Sequence, residues 1–184
     1  MRVLLDCDGV LADCIPYLFK RIGADFGPVD NWDFLKFLEG EQKTRATQLM
    51  KEPVFWAFLP LIEGAQEGVK RIEDAGHEIH YVTSEWKSCS GWGNARRYWL
   101  KENFGADPSR VHISDSKHII SGDVFVDDKP EHILSWDVEQ GGGFRTSALL
   151  MDSHHNQNFD WAHRFDWSKL LSDPFKTLFF GPPW

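Results

Sequence analysis

The chain has 184 residues, a formal net charge of −8 and a mean hydropathy of −0.40. Its length suits one domain with a small insertion. It has no apolar stretch near the ~20 residues of a membrane span, and Met1 enters the first apolar run without a signal peptide, so we expect a cytoplasmic protein. Polynucleotide binders show basic faces, whereas the one Arg pair here, Arg96-Arg97, is expected on a solvated helix face.

The first apolar run, Val3-Leu4-Leu5, predicts a short buried β-strand followed by two carboxylates. Asp6 and Asp8 are two residues apart, and strand side chains at that spacing point to one face. They should look into a crevice at the carboxyl end of the strand, where open α/β sheets bind ligands. Taken alone, an acidic turn without a chemical role is an equal alternative. Asp13 is expected to cap a helix beginning near Cys14.

The segment after this turn contains more predicted helices than one crossover between strands needs. Apolar spacing indicates a helix that includes Leu18, and further helices are expected from Asn31 and over Lys43–Lys51. We interpret residues 14–63 as a small helical cap, with residues 1–13 and 64–184 as the core. The cap aromatics would either line the crevice or form the cap's own core. They are Trp32, Phe34, Phe55 and Trp56.

Three later apolar segments also end in polar residues. They are Ile79–Val82 before Thr83-Ser84, Val111–Ile113 before Ser114–Lys117, and Val124–Val126 before Asp127-Asp128. Helical patterns over Gly64–Ala75 and Trp92–Phe104 separate them, and a fifth strand is expected over Ser147–Met151 after the glycines at 141–143. Strands that alternate with helices predict an α/β fold with a parallel sheet and right-handed crossovers.

The carboxyl ends of parallel strands meet at one edge of the sheet, so we expect the polar residues to form one cluster. Its members are Asp6, Asp8, Thr83, Ser84, Lys117, Asp127 and Asp128. Carboxylate oxygens are ligands that Mg²⁺ prefers, and hydroxyl, N–H and ammonium groups can hold phosphate oxygens. The cluster therefore predicts Mg²⁺-assisted phosphoryl chemistry.

Four motifs resemble those of the haloacid dehalogenase superfamily of aspartate-nucleophile phosphatases: DCDGVLAD at 6–13, VTS at 82–84, Lys117, and DVFVDDKP at 123–130. Three more stretches are similar to its 5′(3′)-deoxyribonucleotidase family: LPLIEGA at 59–65, YWLKENFG at 98–105, and HNQ at 155–157 with Asp166-Trp167. The resemblance implies a Rossmann-like sheet flanked by helices, a small helical cap, and Mg²⁺-dependent hydrolysis of (deoxy)ribonucleoside monophosphates. It leaves out mainly residues 25–50 and the tail after Asp173.

Carried over to this chain, the resemblance implies that Asp6 is the nucleophile and forms an aspartyl-phosphate. Asp8 would protonate the leaving nucleoside oxygen and later deprotonate the attacking water. Thr83 and the backbone of Ser84 would grip the phosphate, and Lys117 would stabilise it.

For the metal, the resemblance implies ligands from Asp6, from the carbonyl of Asp8 and from the Asp127-Asp128 pair. It favours Asp128, with Asp127 beside it, and the sequence leaves open which of the pair binds directly. Trp32 and Phe34 are candidate substrate contacts. Cys14 stands where the animal enzymes have a Phe near the base, and Glu85 stands where they have a Pro. These departures do not affect the catalytic residues, but they leave the identity of the substrate undetermined.

Two alternatives concern the reaction. A phosphatase of the same mechanism could act on another small phosphomonoester or on a polynucleotide end. A signalling receiver domain also gathers Asp, Thr and Lys at a sheet edge, but it carries an adjacent acid pair on its first strand and has no cap. The apolar tail from Phe175 is expected to pack on its own domain, with a homodimer as the alternative.

The remaining reactive side chains are given structural roles. Cys7 is interpreted as a small buried residue, since adjacent carboxylates would suppress its thiolate. A second metal site at His154-His155 with His163 is disfavoured, because spacing alone does not show converging ligands.

Overall fold

The computed structural model describes residues 1–27, 32–141, 147–170, 172 and 175–181. Its centre is one sheet of six parallel strands in the order β3-β2-β1-β4-β5-β6. The strands are β1 (Arg2–Leu5), β2 (Glu78–Thr83), β3 (Val111–Ile113), β4 (Val124–Asp127), β5 (Ser147–Met151) and β6 (Arg164–Phe165). The predicted parallel α/β architecture is confirmed, and β6, which is two residues long, was not predicted.

Seven α-helices accompany the sheet within the described residues. They are α1 (Cys14–Ile22), α2 (Gly40–Leu49), α3 (Pro53–Ala57), α4 (Ala65–Asp74), α5 (Trp92–Phe104), α6 (Pro130–Glu139) and α7 (Phe175–Phe180). α5 has the bounds that the sequence predicted. It ends before Gly105, which adopts the left-handed conformation at φ 62°. Of the described helices, none is both long and apolar enough to cross a membrane.

The sheet is buried on both faces, and β1 lies at its centre. Val3 and Leu5 belong to a large apolar core, whereas Leu4 belongs to a second core with Phe125 and Trp136. This division follows the strand period of two residues. Since β1 pairs with both β2 and β4, the residues that follow these three strands come together at one edge.

The segment between β1 and α4 is helical, but its elements differ in part from the predicted ones. Asn31 lies outside the described residues, and the expected helix there is a 3₁₀ turn at Phe34–Phe37. The expected helix at Lys43–Lys51 runs over Gly40–Leu49 instead. α3 was not predicted, and it packs on α5 through the rings of Trp56 and Trp92, whose centroids are 6.1 Å apart.

The start of α1 and the C-terminal tail were both predicted from the sequence. Asp13 occupies the N-cap position of α1, but its side chain makes no capping hydrogen bond, so that expectation is wrong. In the tail, Phe175 and Phe179 are buried, and Phe175 packs edge-on against Phe165 with 5.2 Å between centroids. The described part of the tail, residues 175–181, therefore packs on its own domain, as expected. The predicted glycine connection at 142–143 falls outside the described residues.

Candidate active site

The loop after β1 brings the first two carboxylates to the edge of the sheet. The backbone N–H of Asp6 donates to the carbonyl of Val126 on β4 at 2.9 Å, which fixes Asp6 beside the end of that strand. The chain then turns tightly, because the N–H groups of Leu11 and Ala12 both donate to the carbonyl of Cys7 at 2.8 Å.

Lys117 links two of the predicted site carboxylates in the interior. Its Nζ lies 2.8 Å from Asp6 Oδ1 and 2.7 Å from Asp127 Oδ2, and all three side chains are buried. The imidazole of His132 lies 3.0 Å from the same Asp127 oxygen, and the N–H of Lys129 donates to Asp127 Oδ1 at 2.8 Å. A buried charge is stable only when such partners compensate it.

The burial and charges of these groups shift their pKa values in opposite directions. Burial raises the pKa of Asp6 to about 7, although Lys117 opposes that shift. Burial acts in the same sense on Asp127, but Lys117 and His132 outweigh it and hold the Asp127 pKa below its usual range. The two carboxylates counteract the effect of burial on Lys117 and raise its pKa, so the ammonium stays charged.

Asp128 is fully buried behind the loop after β1. The Nε2 of His155 lies 3.1 Å from both the carbonyl oxygen and Oδ2 of Asp128, and the Nδ2 of Asn156 donates to that carbonyl at 2.8 Å. Within the described part of the chain, Oδ1 of Asp128 has no hydrogen-bond partner, and Oδ2 has the contact with His155. Burial raises the pKa of this carboxyl, and His155 opposes the rise.

Three carboxylates could hold a divalent cation. Oxygens of Asp6, Asp127 and Asp128 lie within 4.8 Å of one another, and each side chain is buried. Carboxylate oxygens suit a hard cation such as Mg²⁺, and the unpartnered Oδ1 of Asp128 is available as such a ligand. Among these groups, three carboxylates are set against one ammonium, that of Lys117. A divalent cation would compensate the excess negative charge.

Gly9 gives Asp128 the space that it occupies. Its φ is 81°, and a Cβ placed there would lie 1.9 Å from Asp128 Oδ2. A side chain at position 9 would therefore both strain the backbone and displace the carboxylate.

Asp8 faces a different partner from Asp6. The Nη2 of Arg96 donates to Asp8 Oδ1 at 2.6 Å and to Oδ2 at 2.7 Å. Arg96 is fully buried, so its expected place on a solvated face is wrong, whereas Arg97 is exposed. The missed signal was helical spacing, since Arg96 falls four residues after Trp92 and three before Trp99 on the apolar face of α5.

A cavity of about 200 Å³ opens over Asp6 and Asp8. The predicted catalytic and substrate-binding residues line it together: Asp6, Asp8, Cys14, Trp32, Phe34, Thr83, Ser84 and Lys117. Among the described residues, the buried hydroxyl Oγ1 of Thr83 has no hydrogen-bond partner, which leaves it available to a ligand. Asp127 and Asp128 are buried and do not line this cavity.

Other lining residues were not predicted as part of the site. They are Met50, Glu85, Trp86, Trp92 and Lys129. The ammonium of Lys129 lies 3.9 Å from the ring centroid of Trp32. Because Lys129 directly follows Asp127-Asp128 in the sequence, it could have been predicted as a site residue. Of the four cap aromatics, Phe55 does not line the cavity and stacks on Tyr17, whereas the other three line it.

The remaining sequence interpretations concern Cys7 and the histidines. Cys7 is buried, as predicted, and burial raises the pKa of its thiol to about 12, which suppresses the thiolate. His154 and His163 are exposed, and His155 contacts Asp128. In the described ranges, the three histidines form no group that could hold a metal.

Known proteins similar to this chain include nucleotidases. Residues 1–171 match the family described as "5' nucleotidase, deoxy (Pyrimidine), cytosolic type C protein". A Staphylococcus epidermidis protein named "Putative 5'(3')-deoxyribonucleotidase" is 27% identical over 171 residues, which cover 90% of this chain and 88% of that protein.

Two solved structures share the fold. A Burkholderia xenovorans protein described as a "putative haloacid dehalogenase-like hydrolase" has a TM-score of 0.57 at 17% identity, covering 96% of this chain and 97% of that one. The D,D-heptose 1,7-bisphosphate phosphatase of Burkholderia thailandensis has a TM-score of 0.53 at 13% identity, covering 93% and 98%.

The contact between Gly9 and Asp128 generates a stability prediction. Gly9→Ala should destabilise the protein more than Gly23→Ala, measured as the free energy of unfolding in urea. Both glycines have positive φ, 81° and 70°, but a Cβ at Gly23 meets nothing within 4 Å. The control should therefore cost only the backbone strain, about 1–2 kcal/mol, and Gly9→Ala should add the clash with Asp128. Equal losses would contradict the close approach.

Proposed function

Because this chain belongs to the 5' nucleotidase, deoxy (Pyrimidine), cytosolic type C family, we propose that it hydrolyses nucleoside monophosphates with Mg²⁺ through an aspartyl-phosphate on Asp6. Its membership makes it a hydrolase of the nucleotidase type and removes the receiver-domain alternative. The single observation that carries the finer proposal is Asp6, held at the cavity by Lys117 at 2.8 Å.

The first step is in-line attack of an Asp6 oxygen on phosphorus. Lys117 fixes Oδ1, so the other carboxylate oxygen is the one free to attack. The bond from phosphorus to the nucleoside oxygen breaks, and that oxygen takes a proton from the Asp8 carboxyl. The products are the free nucleoside and phosphorylated Asp6, and Asp8 is left as the carboxylate.

The second step regenerates the enzyme. Asp8 takes a proton from a water molecule, whose oxygen attacks phosphorus and breaks its bond to Asp6. Inorganic phosphate leaves, and Asp8 is protonated for the next cycle. In both steps the Thr83 hydroxyl, the backbone at Ser84 and the Lys117 ammonium bind the remaining phosphate oxygens, since stabilising that charge is the main task of such sites.

Mg²⁺ would be held by Asp6, by the carbonyl of Asp8, and by the Asp127-Asp128 pair. We assign the direct contact to Asp128, because Asp127 is already engaged by Lys117, His132 and the Lys129 N–H. The cation would offset the repulsion between the phosphate and the carboxylates and polarise the phosphoryl group.

The substrate proposal rests on the lining of the cavity. Phe34 and Trp86 present nearly parallel rings, 24° apart, and Trp32 and Trp56 add further apolar surface. Aromatic faces suit a base, whereas a ribose 2′-hydroxyl placed against these ring faces would have no hydrogen-bond partner there. We therefore propose a deoxyribonucleoside monophosphate rather than a polynucleotide, with residues 14–63 acting as the cap over it.

A cytoplasmic location is part of the proposal. It is supported by the three cysteines Cys7, Cys14 and Cys89, which are all free and buried, as expected in a reducing compartment.

The nucleophile assignment predicts the behaviour of Asp6→Asn. The amide cannot attack phosphorus, so kcat should fall by several orders of magnitude while the thermal midpoint of unfolding stays within a few degrees of that of the parent protein. Asp123→Asn is the matched control and should keep its turnover, because Asp123 is a partly exposed carboxylate outside the site that accepts a hydrogen bond from the N–H of Arg2 at 2.6 Å. Near-normal kcat in Asp6→Asn would refute covalent catalysis at this residue.

The metal assignment predicts that His155 supports Asp128. Removing such an outer contact typically weakens metal affinity about 10–100-fold, so His155→Ala should raise the Kd for Mg²⁺ by that factor in calorimetric titrations of the metal alone. His154→Ala, at the exposed neighbour, should leave the Kd unchanged. Equal affinities in the two variants, or full turnover of the parent protein in excess chelator, would contradict the assignment.

The apolar lining predicts a sugar preference. A buried hydroxyl without a partner costs about 1–3 kcal/mol, so kcat/KM for dUMP should exceed that for UMP by roughly tenfold to a hundredfold. Cys14 is small and widens the base pocket, so purine deoxynucleotides should also be hydrolysed. Equal rates on UMP and dUMP would contradict the sugar argument. Turnover of a sugar phosphate with no nucleotide hydrolysed would contradict the substrate class.

A further inference from the structure

A second cavity, of about 190 Å³, adjoins the cavity over Asp6 and Asp8, which we call the substrate cavity. Cys14 lines both cavities, whereas Asp6 lines the substrate cavity and Asp128 lines the second cavity. Because oxygens of Asp6 and Asp128 lie within 4.8 Å of each other, a cation held by both carboxylates would lie between the two cavities. The proposed metal site can therefore be approached from either one.

The two cavities differ in the charged groups that line them. The substrate cavity contains the ammonium groups of Lys117 and Lys129, which suit a phosphate and repel a cation. The second cavity contains the carboxylates of Asp13, Asp128 and Asp152, and none of its lining residues in the described ranges is a Lys or Arg. Asp152 is ion-paired with two basic side chains, whereas Asp13 makes no capping hydrogen bond. The second cavity therefore favours a cation over an anion.

The carboxylate of Asp128 is the feature of the second cavity that points to a cation. It is fully buried, and His155 contacts Oδ2, while Oδ1 has no hydrogen-bond partner among the described residues. A buried carboxylate oxygen without a donor is costly. A divalent cation that arrives through this cavity would meet that oxygen first and would remove the cost.

The second cavity also has the size that a partly hydrated ion needs. Its volume of about 190 Å³ gives room for several waters, since one water occupies roughly 30 Å³ in the liquid. Mg²⁺ sheds its waters reluctantly and keeps several of them when it binds to proteins. The substrate cavity has a similar volume of about 200 Å³ and would be filled by a bound nucleotide, which would obstruct an ion entering from that side.

We propose that the divalent cation enters and leaves the metal site through the second cavity, independently of the nucleotide. This inference rests on the proposed function, in which Asp128 binds the metal directly. The phosphate and the cation then approach the same carboxylates from different cavities, each through the one whose charges suit it. Metal and nucleotide can bind in either order, and the metal can exchange while a nucleotide is bound.

An entry route has a kinetic consequence that a ligand does not have. Obstructing the route slows association and dissociation of the ion by the same factor, so the Kd for Mg²⁺ stays unchanged. Damage to the ligand set instead raises the Kd. Measuring both rate constants and the Kd therefore separates a blocked route from a damaged metal site, without any measurement of turnover.

The first experiment closes the mouth of the second cavity reversibly. His154 is exposed and lines this cavity, so His154→Cys can be labelled with benzyl methanethiosulfonate and the label removed with a thiol. Binding of Mg²⁺ alone is followed by stopped-flow mixing with a fluorescent indicator of the free ion. The label should slow association and dissociation by at least about tenfold, because the ion must wait for the label to move. The Kd should not change, and thiol treatment should restore both rates.

His163→Cys is the matched control for the label. His163 is also exposed, but it is not among the residues that line either cavity. Its labelled form should bind and release Mg²⁺ at the rates of the parent protein. The parent protein treated with the same reagent should also be unaffected, because Cys7, Cys14 and Cys89 are buried.

The second experiment obstructs the substrate cavity instead. The phosphonate analogue of dUMP, in which a methylene group replaces the bridging oxygen, is bound at saturation before Mg²⁺ is added. Association of Mg²⁺ should proceed without delay. If the ion entered through the substrate cavity, its association would be limited by the release of the analogue.

Unchanged rates in labelled His154→Cys would overturn the proposed route, as would a raised Kd at unchanged dissociation rate. A delay of Mg²⁺ association by the bound analogue would also overturn it. A parent protein that binds no Mg²⁺ would refute the metal assignment and the route together. A parent protein that binds Mg²⁺ with the predicted kinetics but hydrolyses no nucleotide would refute the proposed substrate and support the route.

Discussion

The buried contact of Lys117 with Asp6 and Asp127 is the interaction on which the site depends. One ammonium stands within 2.8 Å of two carboxylates at the ends of two adjacent strands, β1 and β4. Without that charge, the buried carboxylates would repel each other and take up protons. The contact therefore allows the sheet to gather acidic groups at its edge, and it leaves them with a net negative charge that a divalent cation can compensate.

Around this contact, different parts of the chain hold each carboxylate in a different way. Asp127 is fully engaged by neighbouring donors. Asp128 has its carbonyl held by Asn156 and its Oδ2 contacted by His155, and its Oδ1 has no hydrogen-bond partner among the described residues. Asp8 is held from the opposite side by Arg96, which α5 carries among three tryptophans. The three aspartates Asp8, Asp127 and Asp128 thus have different partners, which suits them to different roles in the site.

Much of the fold could be predicted because its signals are local. The strand ending at Leu5 and the helix ending before Gly105 follow from apolar period and glycine placement. The predicted site residues were brought together because parallel strands end at one edge. Arg96 and His155 were missed as site residues because their partners, Asp8 and Asp128, are 88 and 27 residues away. No local pattern encodes such contacts. The position of Arg96 on the apolar face of α5, however, indicated that Arg96 is buried.

The central claim is that Asp6 carries the phosphoryl group during turnover. Its most direct test is to quench the enzyme with acid during hydrolysis of a deoxyribonucleoside monophosphate and to map protein-bound phosphate by mass spectrometry. The account predicts phosphate on Asp6 in the parent protein and none in Asp6→Asn. Steady turnover with no phosphorylated protein, or phosphate mapped to another residue, would contradict it.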